Sequence, residues 1–124
     1  MAVECSYDNT WIRVTFSGAI VPADFNDVAA FIRDVESRAS PAPSRLIDIG
    51  PQSTLSIGFG DVANIAHMRL AVRLANPIRT AIVAHSPAQQ GYARMFQTLN
   101  DHPQITIKVF PDVPAAEAWL RVGT

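Results

Sequence analysis

The stretch Arg79-Thr-Ala-Ile-Val-Ala-His-Ser-Pro-Ala-Gln89 decides the fold. Its first seven residues form a short apolar run rich in β-branched side chains, the pattern of a strand covered on both faces of a sheet. Ser86 then offers a side-chain oxygen as a helix cap, Pro87 suits the first helical position, and Gln89, three residues after the cap, completes a capping box. A buried strand running straight into a capped helix is part of a β-α-β unit. Such units build parallel sheets with right-handed crossovers.

The same alternation extends outward. Downstream, Tyr92, Met95, Phe96 and Leu99 form the inward stripe of this third helix. Ile105 to Phe110 reads as the last strand, and Asp112 caps a final helix with Ala115, Ala116, Trp119 and Leu120 inward. Upstream, a second helix is predicted over roughly Phe59 to Asn76, with Ile65, Met68, Val72 and Ala75 inward and Asn76-Pro77 as its stop. Arg45-Leu-Ile-Asp-Ile-Gly50 reads as a strand buried on both faces apart from Asp48. The first helix runs from Pro22 to near Arg38, with Phe25, Val28, Ile32 and Val35 inward and Arg33, Asp34 and Glu36 on the wet side. At the start, Val3, Cys5 and Tyr7 alternate with polar neighbours, Asp8-Asn9 turns the chain, and Trp11 to Ser17 alternates again, which predicts a hairpin. The expected order is β-β-α-β-α-β-α-β-α. It describes one α/β domain over residues 1–124, with a mainly parallel five-stranded sheet and an antiparallel N-terminal strand.

Composition agrees. The chain has 124 residues, 48% of them apolar and 17% charged, with a net charge of −1. That is the length of one domain able to bury a core without staples. Ten basic residues against eleven acidic ones give no basic surplus for phosphate neutralisation, so nucleic acid is not an expected partner. The single cysteine, Cys5, cannot form an internal disulfide. The N-terminus reads as no signal peptide and no apolar run is long enough to span a bilayer, so a cytoplasmic location is expected.

Three stretches carry a resemblance. They are Arg79 to Pro87, the helix Gly91-Tyr-Ala-Arg-Met-Phe-Gln97, and the ending Val109-Phe-Pro-Asp-Val-Pro-Ala-Ala-Glu-Ala-Trp-Leu120. Together with the size and element order, they resemble the STAS domain of bacterial anti-sigma-factor antagonists, and more closely the SpoIIAA-like group, whose fold is also likened to the CRAL-TRIO lipid-binding domain. The resemblance implies a non-enzymatic regulatory or ligand-binding module. In the antagonists, a serine before the second helix is phosphorylated within an Asp-Ser-Ser-Gly-Leu-Gly-like run. Here Leu55-Ser56-Ile57-Gly58-Phe59-Gly60 stands in that place. Ser56 takes the phosphorylatable position and Gly58 and Gly60 match, while Leu55 and Ile57 depart from the pattern.

The candidate binding residues are Asp48, Ser56, Phe59, Arg69, Arg73, His85 and Ser86. Ligands of open parallel sheets bind beyond the carboxyl ends of the strands, where Asp48, His85 and Ser86 fall, with Ser56 on the same rim. Arg69 and Arg73, spaced as neighbours on a helix, suit an anionic head group. Phe59, Ile65, Met68, Tyr92, Met95 and Phe96 could line an apolar pocket between the second and third helices. The expected ligand is therefore small and apolar or anionic, or else the partner is a protein; an open edge strand also suits a homodimer. A Ser–His–Asp hydrolase using Ser86 or Ser56 with His85 is the remaining alternative, but there is no Gly-x-Ser-x-Gly elbow. Gly58-Phe-Gly-Asp-Val-Ala63 fits a dinucleotide fingerprint in letters only, since it does not directly follow a strand. His67, His85 and His102 show no metal-ligand spacing. No catalytic residue, metal or cofactor is expected.

Overall fold

The hairpin predicted at the N-terminus is present in the computed structural model, which describes residues 3–70 and 73–122, with the side chains of residues 59, 66 and 68–70 outside the description. β1 (Val3–Tyr7) pairs antiparallel with β2 (Ile12–Phe16). Asp8 drives the turn: its Oδ1 accepts from the N–H groups of Thr10 and Trp11 at 3.0 and 3.3 Å, and Asn9 takes a φ of 68°. β4 (Arg45–Asp48), β6 (Ile78–Val83) and β7 (Ile105–Phe110) then add in parallel, in the order β1-β2-β4-β6-β7. Two short strands, β3 (Ala19–Ile20) and β5 (Thr54–Leu55), form a separate two-stranded parallel sheet. Nothing in the sequence reading foresaw it, because two residues are too few to show a period.

Four helices cover the sheet: α1 (Pro22–Arg38), α2 (Phe59–Leu70), α3 (Pro87–Leu99) and α4 (Val113–Val122). The pleat divides the core in two. One face carries Ile12, Val14 and Phe16 of β2, Ile82 of β6 and Ile105 and Ile107 of β7, packed with Val28, Ile32 and Val35 of α1 and Ala93 of α3. The other carries Trp11, Leu46, Ala81 and Val83 beneath Ala116 and Leu120 of α4. Polar contacts clamp α4 as well: Arg13 pairs with Glu117 at 2.5 Å, and Arg79 Nη1 donates to the Trp119 carbonyl while its guanidinium lies 4.8 Å from the Trp119 ring centre.

Three expectations need correction. α2 is described over Phe59–Leu70 and does not reach Asn76, since residues 73–76 are not helical; Val72 lies outside the described residues. The Gln104 side chain accepts from Leu74 N at 2.9 Å and donates to Leu74 O at 2.7 Å, and Asn76 bonds both backbone groups of Ala42, so this segment is held off the helical path. Glu36 is not on a wet face: its carboxylate meets Arg45 Nη2 at 2.7 Å, with side chains only 10% and 3% exposed. The inward ridge of α3 is set by Gln89 and Ala93, both buried, while Tyr92, Met95, Phe96 and Leu99 are half-buried.

Candidate functional site

The strand ends bring Asp48 and His85 together. Both follow from the register: Asp48 ends β4 opposite Val83, and His85 lies two residues beyond Val83 on the same side. His85 Nε2 donates to Asp48 Oδ1 at 2.8 Å, and the same oxygen accepts from Gly50 N at 2.9 Å.

Gln89 ties this pair to the rest of the rim. Its Oε1 accepts from His85 N at 2.8 Å, and its Nε2 donates to Gly50 O at 2.8 Å and Ser53 O at 3.0 Å. Ser86 Oγ accepts from Gln89 N at 3.2 Å, the expected cap. Half of the expected capping box differs, because the Gln89 carboxamide reaches the residue before the cap rather than the cap itself. Gly50 is required here: its φ is +85°, and a Cβ would overlap the Phe16 carbonyl oxygen. The Ser53 hydroxyl is buried with no hydrogen-bond partner. The rim is thus a mutually bonded lock, and most of its polar groups are occupied in holding one another.

A different feature offers space. Between the sheet and helices α1, α2 and α3 lies a cavity of about 150 Å3 with walls that are nearly all carbon. Ile47 and Ile82 form its floor, Val28 and Ile32 one wall, Ala93 and Phe96 another, and Ile20 and Leu55 of the small β3–β5 sheet close one end, where Tyr92 Oη donates to Ile57 O at 2.8 Å. At the opposite end, where the strands begin, stand Arg45, Thr80 and Asn100. Arg45 and Thr80 are register partners on β4 and β6.

A scan against protein-family models gives no match, and neither does a search of curated proteins. Among solved structures, the chain is similar to an uncharacterized protein of the DUF3478 family with a SpoIIAA-like fold from Shewanella loihica PV-4. The match has 20% identity and a TM-score of 0.61, and covers 95% of this chain and 90% of that one. The fold is SpoIIAA-like. At this identity the likeness establishes architecture, and it agrees with the expected five-stranded mixed sheet and four helices.

Within the SpoIIAA-like fold, the other expected site residues are dispersed. Ser56 is exposed between β5 and α2, its N–H bonded to Ile20 O at 2.8 Å. The start of α2 already holds a carboxylate, since Asp61 Oδ2 accepts from Gly58 N at 2.9 Å. Arg73 is exposed and lies beyond α2, so it is not the helical neighbour of Arg69 that the spacing implied. The side chains of Phe59, Met68 and Arg69 lie outside the described residues. The expected apolar pocket does exist, but deeper: Ile65, Tyr92 and Phe96 line it together with α1 and the sheet floor, whereas Met95 does not. Sequence reasoning missed Arg45 and Thr80, and read Gln89 only as a member of the capping box. For Arg45 and Thr80 the available signal was a polar residue within an otherwise apolar strand. Among the described residues, no three His, Cys, Asp or Glu side chains gather as metal ligands, and no helix is long and apolar enough to cross a membrane.

Proposed function

We propose that this protein is a non-enzymatic binding module that takes a small, largely apolar molecule into the core cavity and reports its occupancy to a partner. The cavity carries the reading. A void of about 150 Å3 matches the size at which apolar protein cavities stay dry and admit benzene-sized guests, and filling it recovers dispersion contacts otherwise lost. The small β3–β5 sheet, which covers one end, is the element placed to register an occupant and pass it to the surface. The non-enzymatic reading draws support from the rim: Ser86 Oγ serves as a helix cap and Asp48, His85 and Gln89 bond one another, leaving a geometry suited to bracing loops. The test is native mass spectrometry and thermal melting with toluene, cyclohexane and benzoate. Uptake of one apolar molecule per chain with a raised Tm supports the reading; no adduct and no shift at saturating probe would sink it.

A phospho-switch at Ser56 is the competing reading, favoured by the exposure of Ser56 just ahead of α2. Incubation with host lysate and ATP would then add one phosphate that Ser56→Ala removes. A homodimer would join at β1, an edge of the five-stranded sheet, and sedimentation equilibrium distinguishes it from a monomer.

A further inference from the structure

We infer that the cavity selects an uncharged guest with a single hydrogen-bonding head, such as a small phenol, alcohol or ketone, and seats that head against Thr80 beside Arg45. This rests on the cavity reading above and names the ligand chemistry.

Polarity is distributed unevenly along the cavity. The end closed by β3 and β5 presents Ile20, Leu55 and Ile57, where the Tyr92 hydroxyl already donates to Ile57 O. The other end presents Thr80, Arg45 and Asn100. Thr80 is only 4% exposed and lies two residues from both Ile78 and Ile82, so its side chain stands on the same, cavity face. It lines the cavity beside Arg45 and Asn100. A polar side chain set among apolar walls orients a guest that offers it one hydrogen-bonding group. A hydroxyl both donates and accepts, so phenols, alcohols and ketones all satisfy it.

Charge decides the rest. Arg45 is a buried cation, but its charge is already matched by Glu36 at 2.7 Å, with that carboxylate 10% exposed. A guest carboxylate or phosphate would bring a second buried negative charge to a pair that is already neutral, and such a charge stays uncompensated in a low-dielectric interior. Anionic guests are therefore rejected, although a lone buried arginine would have selected for them. The anionic ligand expected from Arg69 and Arg73 has no counterpart at this cavity.

The test compares phenol, toluene and benzoate, which share a ring and differ in the head. Dissociation constants come from isothermal titration with wild-type protein, Thr80→Val and Thr80→Ser. Valine keeps the volume and removes the hydroxyl; serine keeps the hydroxyl. In the wild type, phenol and toluene bind and benzoate does not. Thr80→Val weakens phenol about fivefold, the scale of one neutral hydrogen bond, and leaves toluene unchanged or tighter, while Thr80→Ser preserves the wild-type preference for phenol. Benzoate binding as tightly as phenol overturns the inference. So does a phenol-to-toluene ratio that Thr80→Val leaves unchanged; in both cases the cavity reading stands. If none of the three binds the wild type, the cavity reading itself falls.

Discussion

Replacing Gln89 with methionine removes the centre of the strand-end lock while keeping side-chain length and helix propensity. Gln89 is 2% exposed and makes three side-chain bonds, one accepted from His85 N and two donated to the carbonyls of Gly50 and Ser53. The two donated bonds are buried, so water is poorly placed to replace them. Three bonds at ~0.5–1.5 kcal/mol each, partly offset by the apolar thioether in a buried position, give a net loss of about 1–4 kcal/mol. For a domain of this size that is roughly 4–15 °C in Tm. Urea denaturation followed by circular dichroism measures it, with the midpoint falling and the slope unchanged. His85→Ala should cost less, because the His85 side chain is 22% exposed and contributes one side-chain bond to Asp48. A Gln89→Met loss below about 1 kcal/mol, on the scale of a single net hydrogen bond, would refute the claim that the rim is a structural lock. It would also reopen the rim as a ligand site.

Other consequences are equally direct. Ala93 is buried and faces the cavity, so Ala93→Leu inserts three carbons worth about 2 kcal/mol before strain; the unliganded protein should gain about 1 kcal/mol and lose binding of apolar probes. The backbone bonds from Thr10 and Trp11 hold the Asp8 carboxyl below the usual carboxylate range. A depressed folded pKa means that its stabilisation is complete above the unfolded carboxylate pKa and is lost as pH falls through the folded value. The stability gap between wild type and Asp8→Ala, measured by thermal melts, should therefore be present at neutral pH and close in strong acid. Burial, with a smaller contribution from the Asp27 charge, pushes the Cys5 thiol up; because the thiolate is the nucleophile, iodoacetamide at pH 8 should label native Cys5 several-fold more slowly than the urea-unfolded chain.

The fold was legible because its main signals are local. The run from Arg79 to Val83 and the cap at Ser86-Pro87 carry strand and helix in adjacent residues, and β6 and α3 formed almost where that pattern placed them. The end of α2 was not legible, since the side chains that hold residues 74 and 76 off the helix bond across the fold to Gln104 and Ala42. Asp48 and His85 could be paired from strand-end position alone. Arg45 and Glu36 could not, because the helical wheel places Glu36 outside and only tertiary packing brings a buried guanidinium to it. The cavity is a property of how three helices meet one sheet face, and of the pocket residues foreseen between α2 and α3, Ile65, Tyr92 and Phe96 line it.

The central claim is that a small neutral molecule enters the core and leaves the rim untouched. The most direct measurement is a methyl and amide NMR titration of the wild-type protein with phenol. Saturable shifts at the methyls of Val28, Ile47, Ile82 and Leu55, which line the cavity, with little change at the Gly50 and His85 amides, are the predicted result. Shifts confined to the rim, or none at saturating phenol, would contradict it.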